Sequence, residues 1–243
     1  MDIVLRNVCK SFCKQPVIRK LTLSIQSGDI FGLLGPSGSG KTTTIRLLIG
    51  AIAADSGNIA FDDIEVPNLK LLNRIGFMPQ NDALYDDLSG EDNLKFFGEL
   101  YGMKKSELSK RISDVLEIVD LTEHRKKSVS QYSGGMKKRL SLAAALIHEP
   151  EVLLLDEPTV GIDPVLRRSI WNEFKTMKDS GKTLIVSTHV MDEVYECDEA
   201  ALLYNGKLIN YDSVQNLLDK TGSGKIEDLF FMAAEQEGGV SGC

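Results

Sequence analysis

Apolar and polar positions change their spacing several times along this chain, and each change marks an element. Residues 2–8 and 17–25 alternate, which predicts two strands of an antiparallel hairpin region. Asp29 to Leu34 is a short apolar run that stops at a Gly-rich loop, and a helix from Lys41 to Ile49 is expected to follow. Val152 to Leu155 and Thr183 to Ser187 are continuous apolar runs, the pattern of parallel strands covered on both faces. Between about 88 and 148 the spacing turns helical, first at Leu94, Phe97, Leu100 and Tyr101, then at Ile112, Val115, Leu116 and Val119. Residues 199–211 read as a last hairpin around Asn205-Gly206, a strong turn signal, and two short helices close the chain. There is no internal repeat and no low-complexity tract. The expectation is a single α/β domain over 1–243: a β core from 1–87 and 149–211, a helical insertion at 88–148, and C-terminal helices at 212–243.

Composition agrees with a globular chain. Of 243 residues, 42% are hydrophobic and 26% charged, which excludes disorder as the main state. The length allows one or two domains and a core that needs no disulfide or metal staple. There are 28 Lys plus Arg against 35 Asp plus Glu, a net charge of −7, so general binding to nucleic acid or acidic lipid is disfavoured. The short basic clusters Lys104-Lys105, Arg125-Lys126-Lys127 and Lys137-Lys138-Arg139 read as solvated helix ends. No apolar run approaches the roughly 20 residues of a membrane-spanning helix, and the N-terminus lacks the pattern of a signal peptide. Cys9, Cys13, Cys197 and Cys243 form no C-x-x-C pair, and Cys9 and Cys13 have no second ligand cluster for zinc. Reduced thiols in a cytosolic protein are expected.

The strongest chemical signal is Gly35-Pro36-Ser37-Gly38-Ser39-Gly40-Lys41-Thr42, which fits G-x4-G-K-[ST] between an expected strand and an expected helix. Glycines let successive backbone N–H groups point at phosphate oxygens, and the helix N-terminus adds its dipole. Lys41 would reach the β- and γ-phosphates, and the Thr42 hydroxyl would ligate Mg²⁺. Asp156 ends a buried strand, where α/β sheets bind ligands, and can hold Mg²⁺ through water. Glu157, next to it, is placed to polarise an attacking water. His189 ends another expected core strand and can contact a γ-phosphate; His124 and His148 read as structural. Ser133-Gly134-Gly135 is a second phosphate-friendly turn opening a helix. One nucleotide needs one P-loop, so a second cradle suggests use in trans, on another subunit's nucleotide.

In this order the motifs resemble the ATP-binding subunit of ABC transporters, over essentially the whole chain. The resemblance implies a P-loop NTPase core, a mostly parallel sheet with helices on both faces, with an N-terminal antiparallel β region and an inserted α-helical subdomain. Phe12 matches the aromatic that stacks on adenine, with Val17 supporting the ring. Residues 35–42 match the Walker A loop, and Thr43 joins them in nucleotide binding. Gln80 matches the Q-loop, Tyr132-Ser133-Gly134-Gly135-Met136 the signature loop, and residues 152–157 Walker B with its catalytic Glu. Gly161-Ile162-Asp163 matches the D-loop, with Asp163 at the nucleotide, and His189 the switch histidine. Tyr132 and Met136 replace the usual Leu and Gln, and Met136 cannot donate a side-chain hydrogen bond. That variant, with the Lys225 to Phe230 segment, resembles the multidrug, lipid and antibiotic export subfamily whose permease is a separate chain.

The resemblance further implies ATP and Mg²⁺, with Thr42, Gln80 and Asp156 holding the metal, and Glu157, His189, Gln80 and Lys41 in catalysis. It implies a homodimer or a paired ATPase subunit, sandwiching ATP head to tail, on the inner face of the cell membrane. No nucleic-acid partner is expected. Leu84, Tyr85, Phe96, Phe97 and Tyr101 are candidates for a groove that takes a permease helix. The alternative is a soluble ABC-type ATPase acting on ribosomes or DNA; those usually carry two cassettes or a long coiled-coil insert. A small GTPase or nucleotide kinase is weaker, since no Asn-Lys-x-Asp guanine motif is present.

Overall fold

The computed structural model describes residues 1–238; Cys243 and the end of the expected 212–243 segment lie outside the described residues. In chain order the elements are β1 (Ile3–Phe12), β2 (Gln15–Ile25), β3 (Ile30–Leu34), α1 (Lys41–Leu48), β4 (Ser56–Phe61), β5 (Ile64–Glu65) and the short α2 (Leu69–Leu72). Then come β6 (Ile75–Met78), α3 (Gly90–Leu100), α4 (Lys105–Ile118), α5 (Gly134–Leu146), β7 (Val152–Asp156) and α6 (Pro164–Asp179). The chain ends through β8 (Thr183–Thr188), β9 (Glu199–Tyr204), β10 (Lys207–Ser213), α7 (Val214–Asp219) and α8 (Glu227–Gly238). Two compact units share this chain: Met1–Asn68 with the chain from Ile185 onward, and Leu69–Leu184.

In the first unit, β2, β1, β4 and β5 form an antiparallel sheet in that order. β1 and β2 are a hairpin closed by Cys13-Lys14, both at positive φ (48° and 66°), the geometry of a two-residue primed turn. β1 runs past the residue-8 limit expected from alternation. The pairing shifts register between Leu5 and Val8, where Asn7 has φ 50°, so buried residues step from Leu5 to Val8 by three instead of two. β3 pairs in parallel with β9, and β9 pairs antiparallel with β10 through the Asn205-Gly206 turn. All five residues of β3 are buried.

That turn also fastens neighbouring segments. Arg19 N donates to Gly206 O (2.8 Å), and Gly206 N donates to Ser39 O (3.2 Å), so the turn ties β2 to the Gly-rich loop. Gly206 has φ 75°, and a Cβ there would run into the Val17 carbonyl oxygen, which is backbone and cannot swing aside. Gly206→Ala is therefore expected to destabilise the protein by about 2 kcal/mol or more. Thermal unfolding should show a drop in Tm of about 4–8 °C for a chain of this size; an unchanged Tm would contradict the close approach.

In the second unit β6 and β7 pair in parallel, Ile75 opposite Val152 and Met78 opposite Leu155. All five residues of β7 are buried, as the apolar run predicts. Helices α3, α4 and α5 lie between these strands in sequence. α3 starts at Ser89, whose hydroxyl accepts from Asp92 N (3.1 Å). α6 starts at Asp163 with Pro164 at its first position and buries Ile170, Trp171, Phe174 and Met177 at helical spacing. The spacing along the chain predicts none of α2, α6, β4, β5 and β6. Among the described residues no helix is long and apolar enough to cross a membrane.

Candidate functional site

The first unit holds the Gly-rich loop, between buried β3 and α1. Gly40 is the N-cap of α1 and has no side chain to cap with, so the first-turn N–H groups have no side-chain acceptor. Lys41 is 5% exposed, and its Nζ donates to Gly35 O (2.7 Å) and Pro36 O (3.1 Å), folding the loop around its own ammonium. The buried Ser39 hydroxyl has no hydrogen-bond partner. A buried cation, a helix N-terminus and an orphaned hydroxyl in one loop fit an anion of several oxygens, the chemistry of a polyphosphate. Thr42 and Thr43 are half-buried at the start of α1, while the Thr44 hydroxyl is taken by Gly40 O (3.0 Å).

Val17 and Gly38 share a cleft of about 310 Å³ with Pro16, Arg19, Asn205, Gly206 and Lys207. Phe12 is not among those lining residues. It ends β1 at 45% exposure with Lys10 Nζ 5.5 Å from its ring centroid. His189 follows β8 and is exposed. The turn after it is set by Thr188, whose Oγ1 donates to buried Glu193 (2.5 Å) and accepts from Val190 N (3.0 Å).

The second unit brings Gln80, Asp156 and Glu157 together. β7 delivers Asp156 and Glu157 as buried carboxylates, and Glu157 holds φ 54°, the left-handed region that a non-glycine residue enters only at a cost. Gln80, just past β6, donates from Nε2 to Glu157 Oε2 (3.1 Å). That orientation turns the amide oxygen of Gln80 away from Glu157. Within this unit the amide oxygen of Gln80 and the carboxylate of Asp156 are oxygen donors of the kind that suit Mg²⁺.

Ser133 is exposed and caps α5, its hydroxyl accepting from Met136 N (3.2 Å), with Gly134 and Gly135 opening the helix behind it. Tyr132, in place of the usual Leu, is buried, and its hydroxyl donates to His124 O (2.8 Å), anchoring the residue before the cap. Asp163 Oδ1 accepts from Leu166 N (3.0 Å), so its carboxylate caps α6. His148 is structural as read: it stacks on Tyr101 (centroids 3.6 Å apart), and burial pushes its pKa down to about 4. Burial likewise pushes the Cys197 thiol up, and Cys9, Cys13 and Cys197 are free.

Lys137-Lys138-Arg139 is not a solvated helix end. Arg139 donates to Val119 O (2.9 Å) and Asp120 O (2.7 Å), Lys137 pairs with Asp86 (2.6 Å), and half-buried Lys138 donates to Gln80 O (3.1 Å). Lys138 was missed because its partner lies 58 residues away, beyond any local spacing.

The ABC transporter family model matches residues 18–160. The linearmycin resistance ATP-binding protein LnrL of Bacillus subtilis is 39% identical over 226 residues, covering 92% of this chain and 73% of that one. The Nod factor export ATP-binding protein I of Cupriavidus metallidurans is 37% identical over 218 residues, 88% of this chain and 72% of that one. ABC transporter G family member 20 of Dictyostelium discoideum is 36% identical over 247 residues, and the chain spans 33% of its length. Among solved structures, an ATP-binding subunit of an ABC transporter superposes with TM-score 0.86 at 22% identity, over 96% of this chain and 99% of that one. A dimeric post-hydrolysis cassette, MJ0796 bound to ADP and Pi, gives 0.81 at 25% identity, over 87% and 98%. The chain belongs to the ABC transporter family, and it is an ATP-binding ATPase of that family with the P-loop NTPase fold.

Proposed function

We propose that this chain hydrolyses ATP to drive export through a membrane permease carried on a separate chain. The observation that carries the reading is the Gln80 amide held on the Glu157 carboxylate at the end of buried β7 (3.1 Å). Glu157 takes the proton of the attacking water as general base, and the Gln80 bond fixes which carboxylate oxygen faces it. Lys41 leaves the loop carbonyls for the β- and γ-phosphates, and the backbone from Gly35 to Thr43 wraps them. Thr42, Gln80 and Asp156 would hold Mg²⁺, which would supply neutralisation of phosphate charge. His189 orients the γ-phosphate, and Phe12 and Val17 support the base. Two copies, or this chain and a paired ATPase subunit, sandwich ATP head to tail. Ser133, Gly134 and Gly135 of one then face the nucleotide of the other, and Asp163 lies at the same junction. Residues 88–148 act as the helical subdomain on a core of 1–87 and 149–211, with helices after 212. The chain sits on the cytoplasmic face of the membrane through its permease. Relatives named for linearmycin resistance and Nod factor export support export as the direction.

The permease contact follows from an aromatic cluster that Tyr85, after β6, forms with Phe96 and Phe97 of α3. Tyr85 and Phe96 are 48% and 40% exposed, with rings 4.8 Å apart edge to face. Phe97 is half-buried behind them, Leu84 is half-buried, and Tyr101 is committed to His148. Two exposed rings with an apolar floor suit one face of an amphipathic helix. Tyr85→Glu and Phe96→Glu are expected to keep ATP binding and to lose co-purification with the permease. Each interface aromatic is worth about 2 kcal/mol or more, roughly thirtyfold in affinity. Co-purification unchanged in both variants would favour the soluble alternative.

A further inference from the structure

Two consecutive lysines on α5 reach back to the segment after β6, and they do different things. Lys137 pairs with Asp86 at 2.6 Å, but the Asp86 side chain is 58% exposed, and such pairs are screened and weak. Lys138 is half-buried and donates to the main-chain oxygen of Gln80 at 3.1 Å. Burial pushes its pKa down, while the charges of Asp82, Glu157 and Asp156 hold it up. A half-desolvated ammonium is stabilised where carbonyls and carboxylates face it, and here these are the Gln80 carbonyl and the carboxylates of Asp82, Glu157 and Asp156.

Gln80 lies outside regular structure, so its side chain is only as well placed as its backbone. Its Nε2 donates to Glu157 Oε2 at 3.1 Å. A chain of contacts thus runs from Lys138 Nζ to the Gln80 carbonyl, and from the Gln80 amide to Glu157. We propose that Lys138 is a positioning residue for hydrolysis: it holds the Gln80 main chain so that the Gln80 amide keeps the Glu157 carboxylate oriented toward its water. The inference rests on Glu157 being the base. Lys138 lies five residues after the Ser133 cap, about 7.5 Å along α5 at 1.5 Å per residue. One helix therefore carries both the signature loop and the clamp on Gln80.

The test is steady-state ATPase kinetics of the full chain. Lys138→Met keeps the aliphatic stem and removes charge and donor. It is expected to lower kcat about tenfold, the scale of one lost charge-assisted hydrogen bond, with KM for ATP within about twofold. Lys138→Arg restores a cationic donor and is expected to recover most of kcat. The decisive readout is a double-mutant cycle with Gln80→Ala. Without the Gln80 amide the clamp has nothing to orient, so Lys138→Met should then cost less than about twofold. An equal loss in both backgrounds, or kcat unchanged in Lys138→Met, overturns the proposal. If Lys138→Met does not fold, Lys138→Gln, too short to reach the carbonyl, enters the same cycle. Glu157→Gln is measured alongside. Full turnover in that variant removes the site assignment itself, whereas its inactivity beside an unimpaired Lys138→Met removes only the role of Lys138.

Discussion

Glu157→Gln is expected to keep ATP binding and to lose turnover by about 10² to 10⁴-fold, the usual contribution of a positioned general base. The substitution changes little else. The amide has the shape of the carboxylate and still offers an oxygen to Gln80 Nε2, now 3.1 Å from Glu157 Oε2. It also leaves the left-handed φ of 54° in place, so the backbone strain at this position is unchanged. The phosphate-binding loop lies elsewhere in sequence and keeps its buried Lys41. Binding and chemistry should therefore separate cleanly: nucleotide affinity within a few-fold of wild type, and kcat lost. With hydrolysis stopped, ATP should hold two chains together, which light scattering with ATP reads as a doubled mass. Turnover within a few-fold of wild type would remove Glu157 from the role of base.

The candidate residues are legible in the sequence because their signals are local. The Gly-rich loop, the carboxylates after Val152 to Leu155 and the histidine after Thr183 to Thr188 each sit at the end of an apolar run. Elements were missed where tertiary contacts decide the residue. β6 reads Ile-Gly-Phe-Met, and glycine weakens a strand signal. The structure needs Gly76 because a Cβ there would run into the Ala145 carbonyl oxygen of α5. β1 hid its second half behind a bulge at Asn7. α6 carries plain start signals in Asp163 and Pro164, and Asp163, which matches the D-loop, also caps the helix. Lys138 looked like one of three solvated charges, since nothing near it in sequence marks Gln80 as its partner.

Mixing two inactive variants is expected to restore activity. Lys41→Ala removes the buried ammonium that the phosphates need, so its homodimer has two dead sites. Ser133→Arg places bulk and charge in the cradle, so its homodimer is dead as well. The protein should survive both changes. Ser133 caps α5 through Met136 N (3.2 Å), and losing such a cap costs about 1 kcal/mol against a typical domain stability of 5–15 kcal/mol. In a mixed dimer of trans geometry, one site collects both lesions. The other joins an intact Lys41 to an intact Ser133. Random pairing of equal amounts makes about half the dimers mixed, so activity should return to about a quarter of the wild-type level in a two-fold symmetric assembly. If Ser133 served its own chain's nucleotide, every site would keep one lesion and mixing would restore nothing. Differently tagged preparations allow the mixed dimers to be isolated with ATP and their nucleotide content measured. Mixed dimers that form, hold ATP and remain inactive would overturn the trans assignment, because the intact pair of Lys41 and Ser133 would then be present and insufficient.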